Sequence, residues 1–435
     1  MANILTAMTY AEALDFLYNS TPMFQNAGAS AYKPGLESTA VLSEAFGNPH
    51  YGLPCIIIGG TNGKGSTSHT IAAIAQAAGY RVGLFTSPHL VDFRERIRVN
   101  GQPVPERFVT NFVESYLADD ISRVLAPSFF EFTTVMALCW FRSQKVDLAV
   151  LEVGLGGRLD CTNICDPMLS IITNISLDHT DLLGKTEAEI AREKAGIMRA
   201  GRRCIVGRAE GEVLEVFRRE AERRGAILEV VGKQPFASVE FADGQLHYAA
   251  TPYGDLSGAL TGDCQSENAA TVLTALPHLQ KYFKRITAAD VATGFAQVCA
   301  LTGLRGRWET LATTPVRVIC DTGHNIGGWR HLGPRLRSIP RLRMVLGFVN
   351  DKDVNAIMAE MPADATYYFA TPSVRRGRPA EETAAIASAH GLTGRPYATV
   401  AEAVRAAMAD AAEGDTVFVG GSTFVVADLL SSAIF

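Results

Sequence analysis

A glycine-rich segment containing one lysine joins a run of isoleucines at residues 56–58 to a helix-forming stretch. Its sequence is Gly59-Gly60-Thr61-Asn62-Gly63-Lys64-Gly65-Ser66. Backbone N–H groups at the start of a helix, together with a lysine, form a binding site for phosphate groups. The match to the pattern G-x-x-x-x-G-K-[ST] is imperfect, because the spacing is one residue short and Gly65 separates the lysine from Ser66. A purely structural turn is the alternative, but the order of strand, loop, lysine and helix favours phosphate binding.

Two further positions carry groups that could hold a metal ion near such a loop. Glu152 lies near the end of an apolar strand at residues 147–154, where an unpaired carboxylate would be costly. We favour a Mg²⁺ ligand there over a buried ion pair, because folds with phosphate loops place an acid at this position. His179 stands between Asp178 and Asp181 after another strand and is either a metal ligand or part of a capping cluster.

Three polar segments have more than one interpretation. Residues 86–89 (Thr-Ser-Pro-His) form a polar strand end, where ligands gather in open α/β sheets. Residues 94–101 alternate charged and aliphatic residues, which predicts an exposed hairpin strand with a turn at Asn100-Gly101. Its three arginines either form a solvated face or attract an anionic substrate. The loop at residues 26–35 is either a solvated connector or a substrate contact.

The elements around these segments alternate between buried strands and helices, which predicts an α/β protein. Helical spacing in residues 9–50 precedes the phosphate loop, and short β-like runs occupy residues 225–260. The strand–helix pattern restarts after residues 302–307, so we place a domain boundary there. We expect an N-terminal P-loop ATPase domain with a mainly parallel sheet at residues 1–301. A smaller Rossmann-like α/β domain follows at residues 302–435.

Composition narrows the functional classes. The chain has 435 residues, 47% hydrophobic and 20% charged, with a net charge of -5. Nothing in this balance favours binding to nucleic acid or to a membrane, and we find no spanning segment or signal peptide. We therefore expect a cytoplasmic protein that binds small molecules, and we also predict that it is a monomer. The eight cysteines are scattered through apolar runs, which favours reduced, buried thiols, and the close pair Cys161 and Cys165 lacks partners for a zinc site.

Seven stretches, in this order, resemble folylpolyglutamate synthase and dihydrofolate synthase of the Mur ligase superfamily. They are residues 60–66, 86–89, 152–160, 177–181 (Leu-Asp-His-Thr-Asp), 193–197 (Glu-Lys-Ala-Gly-Ile), 321–325 (Asp-Thr-Gly-His-Asn) and 351–353 (Asp-Lys-Asp). The resemblance covers nearly the whole chain. It implies an ATP-dependent ligase that adds L-glutamate to folates through an acyl phosphate, and it leaves open whether dihydropteroate is also a substrate. The N-terminal domain would then carry the ATP and folate sites and the C-terminal domain the glutamate site.

The resemblance also implies roles for individual residues. Lys64, Lys194, His179 and His324 would be catalytic. Mg²⁺ would be bound by Ser87, Glu152, His179 and Lys194. ATP would be bound by Gly60, Thr61, Asn62, Gly63, Lys64, Gly65, Ser66, Asn268, Arg307 and Asp321. The folate would contact Ser128, Phe129, Phe130, Glu131, Leu159, Asp160 and Cys161, and Ser422 would lie near the incoming glutamate.

Lys194 illustrates how the resemblance changes an interpretation. From helical spacing alone, Glu189, Glu193 and Lys194 predict a salt-bridged solvated face. The resemblance implies instead that Lys194 is carbamylated, and a carbamate can stand beside metal ions because it is anionic.

Some residues depart from the family pattern. Residues 29–31 are Ala-Ser-Ala where Ser-Lys-Thr is expected, Cys264 replaces a histidine, and Gly323 and Ile326 replace alanine and proline. Residues 375–377 (Arg-Arg-Gly) replace a Pro-Arg pair. These departures leave the ATP chemistry in place and bear on the folate form. Two alternatives remain: another Mur-type amino acid ligase, and a P-loop ATPase without ligase activity.

Overall fold

The computed structural model describes residues 8–21 and 35–435. The loop expected at residues 26–35 therefore lies outside the described residues, except for Gly35. Helix α1 (Tyr10–Asp15) continues into a π-helical turn (Phe16–Ser20), and α2 (Glu37–Ala45) follows the gap. The helical prediction for the N-terminal region is confirmed for these described parts.

An eight-stranded, mainly parallel sheet forms the centre of the N-terminal part, with the order β4-β3-β2-β5-β1-β6-β7-β8. Its strands are β1 (Cys55–Gly59), β2 (Val82–Phe85), β3 (Ile97–Val99), β4 (Gln102–Pro103), β5 (Leu148–Glu152), β6 (Leu169–Asn174), β7 (Arg203–Arg208) and β8 (Ile227–Val230). Strand β1 lies in the middle because Ile57 packs into the core on one face of the sheet, while Ile56 and Ile58 pack into the core on the other.

Helices cover both faces of this sheet. They are α3 (Lys64–Ala77), α4 (Glu106–Ala118), α5 (Ile121–Val124), α6 (Phe129–Ser143), α7 (Thr180–Leu183), α8 (Glu187–Lys194), α9 (Gly211–Arg224), α10 (Gln265–Leu279), α11 (Ala288–Ala296) and α12 (Val298–Thr302). A separate antiparallel sheet stands between α9 and α10, as the β-like composition predicts. Its strands are β9 (Ser238–Ala242), β10 (Gln245–Thr251) and β11 (Gly254–Gly258).

A second α/β sheet forms the C-terminal part, with the order β12-β13-β17-β14-β15-β16. Its strands are β12 (Glu309–Ala312), β13 (Arg317–Cys320), β14 (Leu342–Leu346), β15 (Thr366–Ala370), β16 (Gly394–Tyr397) and β17 (Thr416–Gly420). Its helices are α13 (Ile326–Arg337), α14 (Val354–Met358), α15 (Ala380–Ala389), α16 (Val400–Ala409) and α17 (Thr423–Ser431). Only β12 runs antiparallel to its neighbour. The expected fold class is confirmed; the boundary at residue 302 stays a prediction. From β12 onwards we call this part the C-terminal domain.

The prediction of one exposed strand over residues 94–101 is wrong for its first half. Residues Phe93–Arg96 form a 3-10 helix, capped by Asp92, and only β3 and β4 form the hairpin. The turn at Asn100-Gly101 is confirmed, because both residues have positive φ angles of 48° and 73°. Arg96 is 3% exposed, so the arginines of this segment do not form one solvated face.

The cysteines are all free thiols, and five of them are buried. This agrees with the prediction of reduced cysteines in apolar surroundings. Within residues 8–21 and 35–435, no helix has both the length and the apolar composition that a bilayer crossing requires.

Candidate functional site

The glycine-rich segment forms a tight loop between β1 and α3. Gly63 adopts a φ of 82° directly before the helix, and Gly60 a φ of 132°. A Cβ atom on Gly63 would lie 2.1 Å from Oδ1 of Asn268, and one on Gly60 would lie 1.9 Å from Oγ1 of Thr173. Both positions therefore require glycine, for conformation and for space. The loop has the shape of a phosphate cradle at a helix N-terminus.

The segment after β6 holds this loop in place. Thr61 N donates to Asn174 O over 2.9 Å, and Asn62 N donates to Asn174 Oδ1 over 3.0 Å. The Thr61 hydroxyl donates to Ser176 O and accepts from Ser176 N, both over 3.1 Å. Sequence reasoning did not select Asn174 or Ser176. The available signal was the change from apolar to polar residues at the end of a buried strand next to the loop strand.

Two lysines share one acceptor in the loop. Lys64 Nζ donates to Gly60 O over 3.1 Å and to Thr61 O over 3.0 Å, and Lys194 Nζ donates to the same Gly60 O over 2.8 Å. Lys194 is 4% exposed, so the salt-bridged solvated face is wrong for this residue, although Glu193 does pair with Arg158 at the surface. Burial, and then the charge of Lys64, lower the pKa of Lys194 to about 7.

Glu152 ends β5 beside the loop and is 4% exposed. Its Oε2 accepts from Ser87 N over 2.9 Å, and a Cβ atom on Gly65 would lie 3.6 Å from its Oε1. Burial raises the pKa of Glu152, while the charge of Lys64 acts in the opposite direction. The structure thus brings Glu152 and Ser87 together beside the loop that carries Lys64, and their role in binding Mg²⁺ stays a prediction.

His179 lies at the start of α7 with a left-handed backbone, φ 50°. Burial lowers its pKa to about 4, against the opposing charge of Asp178, so the imidazole is neutral at neutral pH and can act as a metal ligand. Within the part of the chain that the structure describes, no three His, Cys, Asp or Glu side chains converge into a metal site. A cation here would therefore need other oxygen ligands. The hydroxyl of Ser87 and the phosphate oxygens of a nucleotide are such ligands, and with the carboxylate of Glu152 they fit Mg²⁺.

Of the residues expected to bind ATP, Asn268 and Arg307 lie against the loop, and Asp321 lies at the start of the C-terminal domain. Asn268 is 6% exposed and lies under Gly63. Arg307 lies beside Gly65, because a Cβ atom on that glycine would be 3.4 Å from Nη2 of Arg307. The carboxylate of Asp321 accepts from Trp308 N over 2.8 Å and from Gly323 N over 2.7 Å. Burial raises the pKa of Asp321, against the charge of Arg307. In this structure Asp321 orders the start of the C-terminal domain.

The domain interface continues through Asp178. Its carboxylate accepts from Lys352 Nζ over 2.6 Å and from Asn325 Nδ2 over 2.9 Å, and lies 3.5 Å from Nε2 of His324. Burial alone would raise the pKa of Asp178, but the hydrogen bond from His324 and the charge of Lys352 hold it well below its usual range. His324 thus lies at the contact between the two domains, and its place in a reaction cleft stays a prediction.

The expected folate residues are close together but largely engaged in local structure. Ser128 and Glu131 form a reciprocal capping box at the start of α6, with distances of 3.3 and 2.6 Å. Asp160 accepts from the backbone N–H groups of Gly154 and Leu155 over 2.9 and 3.0 Å. These contacts shape the two stretches. Both stretches also carry apolar side chains, namely Phe129, Phe130, Leu159 and Cys161.

The structure adds a basic and aromatic group beside Phe129. The guanidinium carbon of the buried Arg96 lies 4.9 Å from the centre of the Phe129 ring, and its Nε donates to His89 Nδ1 over 2.7 Å. Tyr18 stacks on Phe129 at a centroid distance of 6.0 Å. The charge alternation in residues 94–101 concealed Arg96 from sequence reasoning.

Ser422 is 2% exposed, and its hydroxyl accepts from Phe424 N over 3.0 Å as the cap of α17. The structure therefore gives this residue a structural contact. Ser422 follows β17 and Asp321 follows β13, and these neighbouring parallel strands end at the same edge of the sheet.

Comparison with family models identifies both parts of the chain. Residues 129–276 match the Mur ligase middle domain, and residues 306–423 match the Mur ligase, glutamate ligase domain.

Curated relatives extend this likeness over the whole chain. A dihydrofolate synthase/folylpolyglutamate synthase of Escherichia coli is 36% identical over 402 residues, which cover 91% of this chain and 90% of that protein. A probable bifunctional folylpolyglutamate synthase/dihydropteroate synthase of Halobacterium salinarum is 36% identical over 433 residues. That alignment covers 97% of this chain but only 51% of the relative, so the chain spans about half of that longer protein.

Solved structures agree with the curated relatives. Escherichia coli FolC in complex with DHPP and ADP has a TM-score of 0.82 at 34% identity, covering 98% of this chain and 97% of that chain. A bifunctional folylpolyglutamate synthase/dihydrofolate synthase with Mn, AMPPNP and L-glutamate bound has a TM-score of 0.79 at 31% identity, covering 98% of each chain.

Proposed function

Because this chain belongs to the folylpolyglutamate synthase/dihydrofolate synthase family of Mur-type ligases, we propose that it joins L-glutamate to folates at the expense of ATP. The single observation that carries the proposal is the arrangement around Gly60 O. Two lysine amines converge on this oxygen, and the buried carboxylate of Glu152 stands beside the same loop. This arrangement suits a triphosphate with its cation, and it lies at the interface with a domain that matches a glutamate ligase.

The chemistry begins with the carboxylate of the folate, which does not react with an amine at neutral pH. A carboxylate oxygen attacks the γ-phosphorus of ATP, the bond to ADP breaks, and an acyl phosphate forms. Lys64 and the loop N–H groups stabilise the charge on the transferring phosphoryl group. The neutral amine of glutamate then attacks the acyl carbon, its nitrogen gives up one proton, and the tetrahedral intermediate expels inorganic phosphate to leave the amide.

A divalent cation fits this reaction. Glu152, Ser87 and the neutral imidazole of His179 would hold it, together with phosphate oxygens. When bound, such an ion neutralises charge on the β- and γ-phosphates. The comparison structure with Mn and AMPPNP supports ATP and a divalent metal for this chain as well.

Lys194 would carry a carbamate in the active enzyme. Carbamylation requires the neutral amine, and a pKa of about 7 makes that form abundant at neutral pH. The modification would also replace the repulsion between two ammonium groups at Gly60 O by an attraction between Lys64 and an anion. Its oxygens would then be available to a cation.

The remaining sites follow the sequence expectations. Asn268, Arg307 and Asp321 would contact ATP, His324 would line the reaction cleft, and residues 128–131 and 159–161 would contact the folate. Ser422 would lie near the incoming glutamate, at the edge of the C-terminal sheet where β17 ends. We place the boundary between the ATP and folate domain and the glutamate ligase domain at residue 302, and we expect the protein to act as a monomer.

The test is the release of ADP with each substrate omitted in turn, for dihydropteroate and for reduced folates. We expect ADP release to require both a folate substrate and L-glutamate, with the amide product formed in equal amount. Release that does not depend on either substrate would support the simple ATPase. Dependence on a different amino acid or acceptor would support another Mur-type ligase.

A further inference from the structure

Residues 174–178, which begin with the last residue of β6, connect the phosphate loop to the C-terminal domain, and we call them the docking segment. Its first half holds the loop through Asn174 and Ser176, as described above. Its last residue, Asp178, accepts hydrogen bonds from Lys352 and Asn325 of the C-terminal domain. Only residue 177 therefore separates Ser176, which contacts the nucleotide loop, from Asp178, which contacts the other domain.

The phosphate loop also touches the C-terminal domain directly. Asn62 Nδ2 donates to Asn325 Oδ1 over 3.0 Å, and Asn325 Nδ2 donates back to Asn62 Oδ1 over 2.9 Å. Asn325 is the cap of α13, and its Oδ1 also accepts from Gly328 N over 2.9 Å. A Cβ atom on Gly327 would lie 2.9 Å from Nδ2 of Asn62, so the first turn of α13 sits tightly against the loop.

The ion pair between Asp178 and Lys352 is buried. The side chains of Asp178 and Lys352 are each 9% exposed, whereas Asp263, which forms another interdomain ion pair with Arg335, is 48% exposed. A buried ion pair contributes only when both charges are present, because removing one leaves the other without a partner. The contacts at Asp178 therefore link this arrangement of the two domains to the presence of both charges.

We propose that Asp178 is a positioning residue that couples the phosphate loop to the seating of the C-terminal domain. It does so by holding Lys352 and Asn325, and with them the first turn of α13, against Asn62. The inference deepens the proposed function, on which it rests for the reaction it serves. In this account the ion pair persists while ATP is bound, and it aligns the second domain with the acyl phosphate formed on the first.

The variants follow from the contacts. Asp178→Asn keeps the shape and removes the charge, Lys352→Met removes the other partner, and Asp178→Glu keeps the charge with a longer reach. Asp263→Asn is the matched control, because it weakens an interdomain ion pair outside the docking segment. Each protein is measured for affinity for a non-hydrolysable ATP analogue, for kcat and KM with glutamate, and for amide hydrogen exchange in residues 323–332.

We expect Asp178→Asn to bind the analogue within about threefold of the wild type, because the loop contacts of Asn174 and Ser176 are unchanged and the new amide oxygen can still accept from His179 N. Its kcat should fall on the order of a hundredfold through misalignment, and the analogue should no longer slow exchange in residues 323–332. Asp178→Glu should recover part of kcat. The double variant with Lys352→Met should be no worse than the poorer single variant, because the two residues act as a unit. Asp263→Asn should retain kcat and exchange protection.

Three results would overturn the proposal. One is an unchanged kcat in Asp178→Asn. The second is a lower KM for glutamate in that variant, which would mean that Asp178 occupies a site intended for a substrate carboxylate. The third is an equal loss in Asp263→Asn, which would mean that any weakening of the interface has this effect. The exchange measurement needs neither folate nor glutamate, so it separates failure of this inference from failure of the proposed ligase activity.

Discussion

Replacement of Lys194 by methionine should abolish ligase activity and at the same time leave the fold as stable as the wild type or more stable. Burial and the charge of Lys64 lower the pKa of Lys194 from 10.5 to about 7. This difference corresponds to about 5 kcal/mol of cost for the charged form. In the unmodified protein the unfolded chain holds this proton up to about pH 10, while the folded chain releases it near pH 7. The free energy of unfolding should therefore rise with pH across this window, and the methionine variant should lose that part of the dependence.

The same pKa determines when the amine can react with CO₂. With a pKa of about 7, about nine-tenths of the Lys194 amine is neutral at pH 8 and about one-tenth at pH 6. At pH 8, an ordinary lysine is neutral in less than about 1% of molecules. At constant dissolved CO₂, carbamate at Lys194 should therefore decrease as the pH falls from 8 to 6, and ligase activity should decrease with it.

The assay is ¹³C NMR of the protein in ¹³C-bicarbonate, recorded together with activity and thermal unfolding. The wild type and Lys185→Ala, which alters an exposed lysine, should show one carbamate signal, and Lys194→Met should show none. Acetate should restore part of the activity of Lys194→Ala, because it supplies a carboxylate in place of the carbamate. An active wild type without a carbamate signal, with activity unaffected by removal of CO₂, would refute this reasoning.

Three further substitutions test the phosphate and metal sites. Lys64→Ala should abolish ATP-dependent amide formation in a folded protein, and near-normal turnover would rule out its role at the γ-phosphate. Glu152→Gln should weaken the apparent affinity for Mg²⁺ sharply in a titration of activity. If Glu152 were only a buried ion-pair partner, the substitution would change thermal stability and leave the Mg²⁺ affinity unchanged. Gly63→Ala should weaken ATP binding, because a left-handed alanine costs roughly 1–2 kcal/mol and its Cβ would displace Asn268. Gly47→Ala carries similar strain without a clash and should bind ATP normally in the same nucleotide titration; equal weakening in both would contradict the steric argument.

Much of the fold could be predicted from local pattern. The β-branched run of β1, the glycines after it and the restart of the strand–helix pattern near residue 302 each reflect short-range constraints of burial and turn geometry. Residues 94–96 could not be assigned in this way, because alternating charged and aliphatic residues suit an edge strand and a capped 3-10 turn equally well. Only the fold shows that Arg96 is enclosed by His89 and Phe129.

Some residues of the candidate site could likewise be predicted from local sequence, and others could not. Lys64, Glu152 and Ser87 come together because the carboxyl ends of neighbouring parallel strands share one edge of a sheet. The burial of Lys194 depends on contact between α8 and the loop, 134 residues away in sequence, so helical spacing favoured a surface position. The partners of Asp178 belong to a different domain, and no local pattern indicates which distant residues will meet at a domain interface.

The transfer of oxygen from the folate carboxylate tests the central claim most directly. The substrate, dihydropteroate or a reduced folate, is labelled with ¹⁸O in its carboxylate and converted in the presence of ATP and L-glutamate. An acyl phosphate route predicts one ¹⁸O atom in each inorganic phosphate released, together with an amide product that contains glutamate. Unlabelled phosphate, or phosphate released equally fast when glutamate is left out, would contradict the account.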